Sequence, residues 1–248
     1  MKNFWTVVNE VIRKADVLLL VLDARLVEET KNAEVEKKVK QLNKPLIYVV
    51  TKSDLVTKEF AEKYKKTLSP CVFISSVKFQ GTTKLRERIL IEAGKIDIKR
   101  PTVGVLGYPN VGKSSLINAL KGKKAASTSS NSGHTKGVQK IKADNRVMFL
   151  DTPGVIPYNE KNPNKLAKIG TVDYNKVKDP ELVVLNLIES YPGLLEEYYG
   201  VEPSLEPETT IEKIAIKKNI LEKGGVADTQ RISRAILKEW QEGKIEMR

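Results

Sequence analysis

Eight consecutive residues, Gly107-Tyr108-Pro109-Asn110-Val111-Gly112-Lys113-Ser114, fill the pattern G-x-x-x-x-G-K-[ST] completely. Glycines at both ends let a backbone wrap around an anion, so the amides from Asn110, Val111 and Gly112 through Lys113, Ser114 and Ser115 point at phosphate oxygens. Lys113 has the length to reach the outer phosphates, and the Ser114 hydroxyl suits magnesium. The pattern implies phosphate binding only when a strand leads in and a helix leads out. Val103 to Leu106 is apolar enough to be that strand, and Lys113 to Leu120 has helical spacing.

Two further patterns have the chemistry such a loop requires. Asp151-Thr152-Pro153-Gly154 ends an apolar stretch 37 residues after Ser114. An acid there can hold magnesium through water, and the Gly154 amide can sense a terminal phosphate. Between the two lies a Ser- and Gly-rich stretch from Ala126 to Gly137, holding Gly133-His134-Thr135-Lys136. One threonine of this loop should complete the magnesium shell. Thr135 is the expected ligand and Thr128 the second choice. Earlier in the chain stands Thr51-Lys52-Ser53-Asp54. A carboxylate can accept from guanine N1 and N2 together, a donor pair adenine lacks, so Asp54 would select guanine while the Lys52 stem lies over base or ribose. Ser75-Ser76 follows 21 residues after Asp54 and offers backbone contacts to the guanine carbonyl.

These motifs need a sheet to hold them at one edge. Apolar stretches at Asp16–Leu22, Leu46–Val50, Val72–Ile74, Val103–Leu106, Val138–Ala143 and Arg146–Leu150 read as strands. Helical spacing intervenes at Ala33–Leu42, Phe60–Leu68, Thr83–Ala93 and Lys113–Leu120. Nearly all-apolar strands alternating with helices predict a mostly parallel sheet covered on both faces. Beyond a polar linker at Asn159–Asn164 the pattern turns helical, at Glu181–Ser190, Leu194–Tyr199, Ile211–Leu221 and Asp228–Gly243. Two domains are expected, residues 1–160 and 165–248.

Composition narrows the class. Hydrophobic residues make up 40% of the chain, enough for a core and against global disorder. No apolar run nears the roughly 18 residues of a membrane helix, so no membrane partner is expected. One cysteine, Cys71 in an apolar run, excludes an internal disulfide framework and fits a reducing cytoplasm. The net charge of +12 is uneven: residues 1–100 and 101–170 each carry +8, and residues 171–248 carry −4. A basic surface suits nucleic acid or simply a solvated lysine-rich face.

The guanine motif precedes the phosphate loop, the reverse of an ordinary small GTPase. With Asp23-Ala24-Arg25 after the first strand and Gly224-Gly225 ahead of a last helix through Trp240, the chain resembles the circularly permuted P-loop GTPases of the YlqF/YawG ribosome-assembly group. The resemblance implies an α/β GTPase domain followed by a small all-helical C-terminal RNA-binding domain. It also implies a slow GTPase, with GTP or GDP and magnesium as ligands, acting on the large ribosomal subunit and its rRNA. No DNA sequence recognition is expected, and a monomer is.

Two departures bear on catalysis. Val155 and Ile156 follow Gly154 where Ras-type enzymes carry a glutamine, an apolar replacement the group shares. Some members supply a histidine from an N-terminal Phe-Pro-Gly-His element that Met1 to Thr6 lacks. The single histidine, His134, is either a water-orienting group or an exposed loop residue. Asn110 is a candidate potassium ligand by the same resemblance, or a loop hydrogen-bonder. Asp23 and Arg25 could be catalytic by charge type alone, but a structural ion pair or a loop anchor is the preferred reading. Arg231, Arg234 and Lys238 share one helix face and are candidate rRNA contacts. Two other functions fit the sequence: a nucleotide-dependent switch that binds protein without RNA, favoured by nine acids and no Lys or Arg from Asp179 to Glu212, and a GTP-binding scaffold with little turnover.

Overall fold

The computed structural model describes residues 4–122, 139–142, 146–152, 154, 156–157 and 160–247. The chain divides into two compact units, Met1–Glu160 and Lys161–Arg248.

In the first unit, α1 (Phe4–Lys14) leads into β1 (Val17–Asp23), which is buried along its whole length, as a strand covered on both faces must be. Short α2 (Val27–Thr30) and α3 (Ala33–Gln41) follow; the Asn32 side chain accepts from the Glu34 and Val35 amides to start α3. Then come β2 (Leu46–Thr51), α4 (Lys58–Lys65), β3 (Cys71–Phe73), α5 (Thr82–Gly94), β4 (Thr102–Leu106), α6 (Lys113–Lys121), β5 (Gln139–Lys142) and β6 (Met148–Asp151). The six strands form one sheet in the order β3-β2-β1-β4-β6-β5, parallel throughout except for the β5–β6 pair. The seam between β1 and β4, with Leu20 opposite Leu106, joins the half of the chain bearing the guanine motif to the half bearing the phosphate loop. Val8, Val11, Ile12, Leu18, Leu20 and Val50 share one core cluster.

The second unit is helical: α7 (Pro163–Lys168), α8 (Pro180–Ser190), α9 (Leu194–Tyr199), α10 (Pro207–Lys217) and α11 (Thr229–Gln241). Helix α11 packs on α8 and α10. Trp240 is fully buried, and its indole donates to Lys168 O at 2.8 Å.

Two sequence expectations shift. Helix α7 begins inside the stretch read as linker, because Asn162 accepts from the Asn164 and Lys165 amides and Pro163 supplies a helix-ready first turn. Helix α10 lies about four residues earlier than its apolar spacing suggested. Pro207 starts it, and Asn219, just past its end, has a left-handed φ of 54°.

Candidate functional site

The phosphate loop sits where its motif requires, between β4 and α6. Gly112 is demanded by its left-handed φ of 94°, since a Cβ there would meet Thr51 only at ordinary contact distance. At Gly107 a Cβ would come within 2.6 Å of Val21 O, so there the packing of the loop onto β1 demands glycine. Asn110 is exposed, with a left-handed φ of 62°, Ser114 is half-buried and Ser115 is exposed. Lys113 is buried, and its ammonium donates to Tyr108 O at 2.6 Å and Gly107 O at 3.1 Å. Burial pushes its pKa down to about 8, against the opposing pull of the Asp151 carboxylate. A cation held this way gains most from an incoming phosphate, which restores the charge stabilisation that water no longer supplies.

Asp151 ends β6, two strands from β1, and is 5% exposed. Beside it the Thr152 hydroxyl donates to Val105 O at 2.6 Å, tying this motif to β4. A Cβ on Gly154 would fall within 2.6 Å of Pro109 N and closer still to its Cα, so the glycine backbone lies directly against the phosphate loop. His134, Thr135, the alternative Thr128 and Val155 lie outside the described residues.

The guanine motif turns sharply off β2. Thr51 is buried, with its hydroxyl 2.8 Å from Leu22 O and in hydrogen-bond contact with Val111 O, so it braces β1 and the phosphate loop. Lys52 takes a left-handed φ of 55°, and the Ser53 amide donates to Ile74 O at 3.1 Å. That last bond carries the half-buried Asp54 to the end of β3. There Ser75 is fully buried, pairs with Gln80 in an isolated bridge, and accepts the Lys78 amide on its hydroxyl at 3.0 Å. The Ser76 hydroxyl is buried and among the described residues has no hydrogen-bond partner. The ends of β2, β3, β4 and β6 thus bring these motifs to the carboxyl edge of one sheet, where ligands bind in open α/β folds.

Sequence reasoning missed a charge network behind this edge. Asp23, fully buried, accepts from Arg25 Nε at 3.2 Å, Arg25 Nη2 at 3.1 Å and Lys52 Nζ at 2.6 Å. Burial alone would raise the Asp23 carboxyl; Arg25 and then Lys52 overcome it and hold the group far below the usual carboxylate range. The pairing of Asp23 with Arg25 agrees with the preferred reading of a structural ion pair. The pairing with Lys52 had no local signal, because 29 residues separate them.

Residues 102–222 match a family model described as a 50S ribosome-binding GTPase. A GTP-binding protein of Methanocaldococcus jannaschii is 41% identical over 244 residues, covering 96% of this chain and 65% of that protein. Nucleolar GTP-binding protein 2 of Neurospora crassa is 34% identical, covering 98% of this chain and 41% of its own length. GNP-bound YlqF from T. maritima superposes with a TM-score of 0.66 at 24% identity, over 96% of this chain and 93% of that one. The motif order observed here lies on that same fold. In its motif order the chain resembles the circularly permuted GTPases. At 24% identity the YlqF likeness establishes the fold alone, and the chain spans between 41% and 65% of the length of the curated relatives it matches.

In the helical unit the candidate RNA-facing trio splits. Arg234 Nη1 donates to the carbonyls of Tyr174 (2.9 Å), Asn175 (3.2 Å) and Val177 (3.2 Å), clamping a short helical turn of its own unit. Arg231 and Lys238 stay exposed. The Cys71 thiol is pushed up to about 12 by burial, which suits a packing residue and not a nucleophile.

Proposed function

We propose that this protein binds GTP and GDP with magnesium, hydrolyses GTP slowly, and uses the cycle as a switch in late assembly of the large ribosomal subunit. The observation that carries the nucleotide reading is the Thr51 hydroxyl, within bonding reach of both β1 and Val111 O, which links guanine motif and phosphate loop into one site. Asp54, Ser75 and Ser76 would receive the base; residues 110–115, with Lys113, would receive the phosphates. Among the described residues no group of three or more His, Cys, Asp or Glu could hold a metal ion. Ser114, Thr135 and Asp151 supply the hard oxygens magnesium prefers, and the ion would neutralise charge building on the phosphates. Asn110 is our candidate for a potassium contact beside them, and His134 for a group that orients water.

Ribosome action is supported by the match to a ribosome-binding GTPase family and by the names of the nucleolar relatives. The helical unit, residues 165–248 in our reading, would contact rRNA, with Arg231 and Lys238 as its exposed cations. Among the described residues no helix is long and apolar enough to cross a membrane. Our reading places the protein in the cytoplasm, which its single cysteine suits, as a monomer. The deciding assay measures GTP turnover with and without large subunits, in potassium and in sodium. Stimulation by subunits is expected, and turnover indifferent to them removes the ribosomal role. Equal rates in the two salts remove potassium.

The acidic run Asp179–Glu212 favours a second reading, a nucleotide-dependent protein-binding switch, because acids repel phosphates. Subunit association that survives complete nuclease digestion would support it.

A further inference from the structure

We infer that Asp23 and Arg25 are positioning residues for base recognition: they hold the Lys52 ammonium away from Asp54, so that the Asp54 carboxylate is left for guanine. This deepens the guanine-nucleotide reading above and rests on it.

Lys52 and Asp54 stand two residues apart on one tight turn, and the Asp54 charge acts on the Lys52 ammonium. Without Asp23, a lysine on that turn would fold onto the carboxylate two residues along and occupy the oxygens that must accept from guanine N1 and N2. Asp23 competes from a stronger position. Its side chain is fully buried, where a charge pair is screened little, and it lies 2.6 Å from Lys52 Nζ. The Lys52 side chain remains 23% exposed while its ammonium is anchored on the fully buried Asp23. The left-handed backbone at Lys52 is then held from three sides, by the Thr51 hydroxyl contacts, by the Ser53 amide on Ile74 O, and by this ion pair.

Arg25 acts one step further back. A buried carboxylate facing a single half-exposed lysine would tend to take up a proton. The Arg25 guanidinium, 1% exposed, meets both Asp23 oxygens, and its own amide donates to Oδ1 at 3.0 Å. These bonds keep Asp23 ionised and its Oδ2 turned toward Lys52. The Thr30 hydroxyl, which accepts the Asp23 amide at 3.2 Å, fixes the backbone from the other side.

The test uses the full chain and two ligands, fluorescent GDP and tripolyphosphate, the second reporting the phosphate loop without a base. Asp23→Asn should weaken GDP about tenfold or more while leaving tripolyphosphate within about twofold, the scale of one charge-assisted bond lost at the base. In a Lys52→Met background the same Asp23→Asn change should cost GDP nothing further, because no ammonium remains to divert. Should Asp23→Asn leave Arg25 unpaired and the chain unfolded, the double variant Asp23→Asn/Arg25→Gln removes both fully buried charges and reads the same quantity. Equal loss for GDP and tripolyphosphate, or a loss undiminished by Lys52→Met, overturns the inference. Failure of the guanine reading itself looks different: the unaltered chain would bind ADP as well as GDP.

Discussion

The strand edge and the helical unit place most of their lysines differently. At the edge, Lys113, Arg25 and the tip of Lys52 are drawn into the protein and held by carbonyls or a carboxylate. In the helical unit, lysines lie over tyrosine rings: Lys168 over Tyr191 at 4.8 Å, Lys218 over Tyr199 at 5.3 Å and Lys238 over Tyr174 at 5.8 Å. Buried cations depend on particular partners and feel pH; exposed ones act through net charge and feel salt. The comparison separates an edge whose cations are fixed by carbonyls and a carboxylate from a helical unit whose lysines lie over aromatic rings.

The largest expected effect is at Lys113. Replacing it with Ala should weaken GTP by about a hundredfold or more, since a buried charge-assisted bond to phosphate is lost without solvent compensation. Titration with fluorescent GTP measures this; a loss near twofold would mean that the buried ammonium does not face the phosphates. Gly154→Ala comes next. Its Cβ has no room against Pro109, so turnover should fall by about tenfold or more in single-turnover assays while GDP affinity holds. Unchanged turnover would show that this contact plays no part in the cycle.

The pH dependence follows from the same lysine. With its pKa lowered to about 8, Lys113 is charged below that pH and must take up a proton to meet phosphate above it. GDP affinity should therefore be flat below about pH 7 and fall by up to about tenfold per unit above pH 8. A flat profile to pH 9.5 in calorimetry would contradict this. The smallest effects belong to the helical unit. Arg231→Glu with Lys238→Glu should flatten the salt dependence of RNA binding by about one slope unit per residue. Arg234→Ala should instead cost about 1–3 kcal/mol of stability, because three carbonyls lose their donor. If Arg234→Ala altered only the salt slope, the division of the trio would be wrong.

Much of the edge could be read in the sequence, because each motif is local. Gly107 to Ser114 needs only its flanking strand and helix, and Asp54 and Asp151 each close a short apolar run. The central strands were legible too, since a buried parallel strand has few alternatives. Through-space pairings left no such trace. Lys52 was expected to lend its stem to the base; its anchorage by Asp23 depends on the register of β1 beside β2, with Asp23 opposite Thr51. The same limit hid Arg234, whose helix-face spacing matched that of Arg231 and Lys238 although its carbonyl partners lie 57 to 60 residues away. Helix α7 was lost to a polar stretch whose Asn-Pro pair reads equally as a loop or as a cap followed by a first turn.

The central claim is that one edge reads guanine and phosphate together, and the most direct measurement is calorimetric titration of the full chain with GDP and with ADP in magnesium. The account predicts GDP binding with ADP weaker by about a hundredfold or more, the scale expected when a half-buried carboxylate loses both of its donors on the base. Equal affinities for the two would contradict it.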